Sequence, residues 1–136
     1  MAWENLPSTS TPINATNLNK ITDSGSNANG NYIKYQDGTM ICWTRIEGAT
    51  HQNEANISGR YYFTDNNNSS ENVKSWTFPA AFITYPTVTL SVNSSAYTMT
   101  SLGYVNGTAT SGYCVTPYAV DSVKFIWNFF AIGKWK

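Results

Sequence analysis

One histidine, two adjacent tyrosines and a run of amides and carboxylates are the side chains in this sequence best suited to chemistry. His51, Gln52 and Asn53 lie in a polar stretch, residues 48–59, that reads as a loop. Tyr61 and Tyr62 follow on a short apolar run, and Asp65, Asn66 and Asn67 open a second polar loop, residues 65–72. Aromatic faces beside orientable amides and hydroxyls suit a sugar, which presents apolar C–H faces and a rim of hydroxyls. If residues 60–64 form a strand, Tyr61 and Tyr62 point to opposite sides, so one faces outward. The expected glycan-binding set is therefore His51, Gln52, Asn53, Tyr61, Tyr62, Asp65 and Asn67. Plain solvated turns are the competing reading. Trp43 and Trp76 fall within strand patterns and are assigned to packing.

Other chemistries have less behind them. There is one histidine and no Gly-Xaa-Ser-Xaa-Gly elbow. A triad drawn from Cys42, His51 and an asparagine rests on residue types alone. Glycoside hydrolysis needs two carboxylates about 5–9.5 Å apart; Glu54, Asp65 and Glu71 lie in or beside loops that could meet, but solvated acids are the simpler reading. Asp65 with Asn66 to Asn68 offers hard oxygen ligands without the spacing of a calcium loop. His51 would bind zinc only if a three-fold axis gathered three copies. No catalytic residue, metal or cofactor is assigned.

The elements that must hold these residues are strands. At the C-terminal end Val123, Phe125, Trp127, Phe129, Ala131, Gly133 and Trp135 alternate with Lys124, Ile126, Asn128, Phe130, Ile132 and Lys134. A period of two with so heavy an aromatic load marks a strand with one face fully buried and the other partly covered. Chain ends usually fray, so this one must be tied into a sheet or a subunit contact. Further strands are expected at 32–36 and 39–47, joined by the hairpin signal Asp37-Gly38, and at 60–64, 73–78 and 87–92. Two more, at 97–105 and 111–120, flank Asn106-Gly107. Gly112 and Pro117 place the last of these at an edge or a bulge, and Asp121-Ser122 reads as a turn. About eight strands and no long helix predict an antiparallel sandwich or barrel.

Residues 1–30 differ. Thr11-Pro12 is a helix start, and a short helix from 13 to about 21 would carry Ile13, Leu18 and Ile21. It is too short to be helical alone. Residues 23–31 read as a connector. The expected division is a linker and short helical stem over 1–30 and a head over 31–136.

Composition narrows the partners. The 136 residues carry no formal net charge and 12% charged residues. Nucleic-acid binding needs a basic patch, and none is visible. No apolar run approaches the ~18 residues of a membrane span, so no membrane insertion is expected. The start Met1-Ala-Trp-Glu-Asn lacks the basic and apolar regions of a secretory signal. Cys42 and Cys114 are expected as buried thiols, because paired cysteines imply a disulfide framework mainly in small secreted chains.

Three stretches in order resemble one family. They are Trp3-Glu4-Asn5-Leu6-Pro7 running into Thr11-Pro12-Ile13-Asn14-Ala15; Tyr32-Ile33-Lys34-Tyr35-Gln36-Asp37-Gly38-Thr39-Met40-Ile41-Cys42-Trp43; and Trp76-Thr77-Phe78-Pro79 with Tyr85-Pro86-Thr87-Val88 and the ending Ala131-Ile132-Gly133-Lys134-Trp135-Lys136. This is similar to the C-terminal head domain of tail fibres and receptor-binding proteins of bacteriophages or phage-tail-like bacteriocins, chiefly those of Gram-positive hosts. The resemblance implies an all-β, homotrimeric β-sandwich that binds a host cell-wall or surface polysaccharide without catalysis. Its other partner would be the remainder of the fibre or baseplate. It would sit in the virion tail, an extracellular particle assembled in the bacterial cytoplasm. The alternatives from other classes are a structural trimerisation cap without a ligand, and a small carbohydrate-binding module or enzyme acting on cell-wall polysaccharide.

Overall fold

The computed structural model describes residues 20–57, 59–63 and 71–136. They form ten strands: β1 (Ile21–Asn27), β2 (Gly30–Tyr35), β3 (Thr39–Asn53), β4 (Ala55–Ile57), β5 (Tyr61–Phe63), β6 (Val73–Thr77), β7 (Thr87–Asn93), β8 (Met99–Val105), β9 (Ala109–Val115) and β10 (Val120–Lys134). All pairing is antiparallel. A five-stranded sheet runs β1-β2-β3-β10-β7, a three-stranded sheet runs β6-β9-β8, and β4 pairs with β5. Among the described residues there is no helix. The expected all-β antiparallel class is present, with ten strands in place of about eight.

The aromatic C-terminal run is the central strand of the larger sheet. β10 pairs with β3 on one side and β7 on the other. Its inner face, Val123, Phe125, Trp127, Phe129 and Ala131, is at most 2% exposed. Trp127 stacks near-parallel with Phe129 at a centroid separation of 6.3 Å, and Phe129 meets Trp76 of the facing sheet at 5.5 Å. Trp76 continues edge-on to Phe78 at 4.8 Å, and Phe78 to Phe82 at 5.1 Å. Such edge and offset contacts add to plain area burial. Met40 and Cys42 from β3 and Cys114 from β9 close the core, all fully buried.

The chain end is held as the sequence requires. Trp135 donates its backbone N–H to Gly38 O at 3.0 Å and its indole N–H to Tyr35 O at 3.1 Å. The Asp37-Gly38 hairpin between β2 and β3 is present, closed by Gly38 N–H to Tyr35 O at 3.1 Å and by Asp37 Oδ1 accepting from Thr39 N at 2.8 Å. Asn106 caps the β8–β9 turn in the same way, its Oδ1 accepting from the backbone of Thr108 and Ala109.

Several expectations are corrected. Ile21, placed at the end of a helix, opens β1; the rest of that stem lies outside the described residues. Residues 23–31, read as a connector, supply most of β1 and its turn into β2. This strand is an outer edge held by backbone pairing, so it needs no apolar alternation, and its polar side chains guard a sheet edge. Residues 48–53, read as loop, extend β3, because β10 pairs with β3 as far as Asn53. Asp121 and Ser122 are not a turn but an irregularity in that ladder, between the Val120 and Val123 pairs. β9 is not an edge but the middle strand of its sheet, and Pro117 lies beyond its end; the alternative, an irregularity, is present in its ladder with β8, between the Leu102–Gly112 and Val105–Thr110 pairs.

Phe129 links both sheets, so Phe129→Ala should lower unfolding free energy by about 3–5 kcal/mol. Urea denaturation of the two proteins measures it; a loss under ~1 kcal/mol would show that the contact between the sheets tolerates a hole there.

Candidate functional site

Asn53, at the end of β3, is fully buried. Its Nδ2 donates to Thr116 Oγ1 at 3.2 Å and to Tyr62 O at 3.3 Å. Asn72 donates to Asn53 Oδ1 at 3.4 Å and to Cys114 O at 2.8 Å. Cys114 N–H in turn donates to Asn72 O at 2.8 Å. This network joins β3, β5, the start of β6 and the end of β9. Asn53 is thus a structural cross-link, inaccessible to a sugar.

His51 is also on β3 and not in a loop. Its ring meets Phe125 edge-on at 5.1 Å, and Nδ1 lies 3.2 Å from Ala49 O. Its Nε2 is buried, with no hydrogen-bond partner among the described residues. The ring therefore extends the aromatic core. Gln52, its neighbour on the strand, is exposed. Asp65 and Asn67 lie outside the described residues.

The Cys42–His51 triad fails on geometry. The two sit nine positions apart on one strand, about 30 Å at ~3.3 Å per residue. Burial pushes the Cys42 thiol up to about 11 and the Cys114 thiol up to about 12. That is the reverse of the depressed pKa that activates a cysteine nucleophile. Both cysteines are free and buried. Glu71 is engaged too, paired with Lys74 at 3.1 Å and accepting from Ala49 N at 2.8 Å. No cluster of three or more histidine, cysteine or acidic side chains with metal-holding geometry occurs among the described residues.

Tyr61 and Tyr62 are both half-buried. A bridge to Thr116 carries β5 toward the smaller sheet, with Tyr62 N–H donating to Thr116 O at 2.8 Å and Thr116 N–H to Tyr62 O at 3.2 Å. That contact brings Tyr61 into a groove of about 190 Å³ with Met99, Thr100, Ser101, Tyr113 and Val115. Register explains the grouping. Ser101 stands opposite Tyr113, and Met99 opposite Val115. Tyr113 lies between buried Gly112 and Cys114, so it must point outward from β9. It is 46% exposed. A Cβ on Gly103 would lie 2.4 Å from Tyr113 Cε2, so only glycine lets the ring lie across β8. Tyr97, Tyr104 and Tyr118 are exposed as well, and Tyr118 Oη accepts from Tyr97 N at 3.2 Å. The groove offers aromatic faces with a thioether and hydroxyls, and no charged group among its described residues.

The sequence reading thus missed Tyr113, Met99 and Ser101. The signal for Tyr113 was present, because Cys114 reads as buried and its neighbour must then face outward. Trp76 packs as expected, donating its indole N–H to Asn29 O at 2.7 Å. Trp43 does not: it is 38% exposed on the outer face of the five-stranded sheet.

No protein-family model and no curated protein matches the chain. Solved structures do. The chain matches an N-truncated R1-type pyocin tail fibre with a TM-score of 0.56 and 18% identity, over 82% of this chain and 84% of that one. The fold is that of a pyocin tail fibre. Longer C-terminal portions of the P. aeruginosa R1 and R2 pyocin fibres match with TM-scores of 0.57 and 0.52 at 17% and 14% identity. Against these two the chain spans 28% and 25% of the length, while 82% of its own residues are covered. The tail-fibre resemblance seen in the sequence therefore extends to the fold. The pyocin neighbours give no support to the Gram-positive host expected with it.

Asn53→Ala should cost about 1–3 kcal/mol, the penalty for stranding buried polar partners, and leave any carbohydrate binding of the folded protein unchanged. Thermal melts with binding measured well below the transition check both halves. A loss of binding without a loss of stability would return Asn53 to the ligand site.

Proposed function

We propose that this chain is the receptor-binding tip of a bacteriophage or bacteriocin tail fibre, and that it adsorbs a particle to a bacterial surface glycan without catalysis. The observation that carries this reading is the Tyr61–Tyr113 groove, set on the outer face of one sheet in a pyocin tail-fibre fold. Tyr113 would stack on a sugar ring, with Tyr61 as a wall and Ser101 among the polar groups. Gln52 on β3, together with Asp65 and Asn67, stays in the proposal; His51 and Asn53 serve packing. The remainder of the fibre would be the second partner, and the tail of an extracellular particle, assembled in the bacterial cytoplasm, the location.

Tyr61→Ala and Tyr113→Ala should each reduce binding to host surface polysaccharide, with Tyr113→Ala leaving the melting temperature nearly unchanged. Pull-down on whole cells and calorimetry with extracted polysaccharide measure this. Full binding by both variants would sink the groove as the site. No binding by the wild-type protein to any surface extract would leave the cap without a ligand.

We also propose that the chain works as a homotrimer. Phe130 and Ile132, 39% and 38% exposed on the outer face of the central strand, support this, since apolar side chains at the centre of a surface favour subunit contact. Three shallow sites on one tip would gain roughly 10²–10⁴ in avidity. Phe130→Asp should shift the mass in light scattering from trimer toward monomer at micromolar concentration. A wild-type monomer under those conditions would refute the trimer.

A further inference from the structure

A second cleft, unrelated to the tyrosine groove, opens on the five-stranded sheet where the β1–β2 hairpin stops short of its neighbour. The last residue of β2 to find a partner on β3 is Asn31, opposite Trp43, whereas β3 itself continues to Asn53. The turn at Ala28-Asn29 therefore ends beside β3 and leaves a step. Gly30 seals the base of that step, with a φ of 121° and a Cβ position only 2.4 Å from Trp43 O. The turn is braced from below by Asn27 Nδ2 donating to Pro79 O at 3.0 Å and by the Trp76 indole donating to Asn29 O. The result is a cleft of about 570 Å³, lined by Trp43, Arg45, Asn31, Asn128 and the turn. That size accommodates a small ligand.

Its chemistry is mixed and uneven in charge. Trp43 supplies an exposed indole, and Asn31 a carboxamide that can both donate and accept. Asn128 already donates its Nδ2 to Asn93 Oδ1 at 3.2 Å and to Ile126 O at 3.4 Å, so it offers its Oδ1 as an acceptor. Arg45, its side chain 57% exposed, pairs with Glu47. Glu47 also takes Lys124 Nζ at 2.8 Å. Two cations thus share one carboxylate, leaving the trio with one net positive charge. Only one guanidinium nitrogen of Arg45, Nη1, is in the pair with Glu47. The fork keeps donors for a second anion, which guanidinium binds in planar, bidentate fashion.

We propose that this cleft is a binding site for an acidic saccharide, with a pyranose face on Trp43, hydroxyls on Asn31 and Asn128, and the anionic group on Arg45. The anion is a carboxylate or a phosphate, since both match the guanidinium fork. Phe130, proposed above as a trimer contact, stands opposite Trp43 on the β3–β10 ladder but is not part of the cleft's lining, so the cleft is placed at the rim of that contact. The site does not depend on the Tyr61–Tyr113 groove, which holds no cation among its described residues.

The test is a titration of the full chain, followed by the indole N–H signal of Trp43 in nitrogen-edited NMR spectra and by calorimetry. The probes are a galacturonic acid disaccharide, glucose 6-phosphate and neutral lactose. The uronate or the sugar phosphate should shift the Trp43 signal and bind at least tenfold more tightly than lactose, and the better of the two identifies the anion. Arg45→Gln should abolish that preference, Trp43→Ala should remove binding, and Trp43→Phe should retain part of it. Raising salt from 50 to 500 mM should weaken the acidic probe and not lactose, as screening requires. Tyr113→Ala should leave all of this unchanged, which separates the cleft from the groove. The proposal is overturned if neither acidic probe moves the Trp43 signal, if lactose binds as tightly, or if Arg45→Gln binds like wild type. Because Trp43 and Arg45 lie on the outer face, melting temperatures within a few degrees of wild type will show that the variants are folded.

Discussion

The inner face of β10 is the constraint on which the rest of the structure depends. Phe125, Trp127 and Phe129 present three large rings from alternate positions of one strand, and nothing on that strand can cover them. β3 and β7 must flank it to satisfy its backbone, and the β6-β9-β8 sheet must face it to remove the rings from water. Each fully buried ring of this kind is worth about 1.5–3 kcal/mol, so the row rivals the net stability of a typical domain, about 5–15 kcal/mol. The order of strands follows from that demand. A strand late in the sequence sits at the centre, and the earlier hairpin β2–β3 is laid against it. Trp135 then pins the chain end back onto the β2–β3 hairpin.

Both candidate binding surfaces are by-products of how this core is closed. The tyrosine groove exists because β9 turns Gly112 and Cys114 inward and so must turn Tyr113 outward. The acidic-saccharide cleft exists because β3 and β10 are both fifteen residues long while the β1–β2 hairpin is short. A long central ladder beside a short flanking hairpin leaves a step, and the side chains along the step inherit an open position. In each case a glycine, Gly103 or Gly30, removes a side chain that would collide with the wall, with the Tyr113 ring or with Trp43 O. The two surfaces differ in kind. One is aromatic, with no charged side chain among its described residues; the other joins an indole to a partly neutralised cation.

The buried asparagine network marks the opposite use of polar chemistry. Asn53, Asn72 and Thr116 satisfy one another and the surrounding backbone inside the protein, where an unmet donor or acceptor would cost about 1–3 kcal/mol. The network joins both sheets and the β4–β5 pair at one end of the core. Polar residues in an amide-rich sequence thus divide into two populations, and their types do not say which is which. Asn53 and Gln52 are adjacent on one strand; one is fully buried and the other exposed, because successive side chains alternate across a strand.

By itself the sequence determined the β class, the two hairpin turns at Asp37-Gly38 and Asn106-Gly107, the buried face of the last strand, the tied chain end and the buried thiols. Those features are local: a period of two, a turn dipeptide, an apolar side chain beside polar ones. Its order of motifs also pointed to the tail-fibre fold. Only the tertiary structure decided the rest. β1 and the far half of β3 carry no apolar alternation, because backbone pairing to a neighbour holds them. His51 and Asn53 looked like loop ligands until the length of β10 drew their segment into the sheet and turned them inward. Trp43 looked like core until the five-stranded sheet turned its outer face to solvent. Tyr61 met Tyr113 only through the bridge at Thr116, a contact between residues more than fifty positions apart. Periodicity tells which residues share a face; which face is covered depends on the partner the fold supplies, and that partner lies far away along the chain.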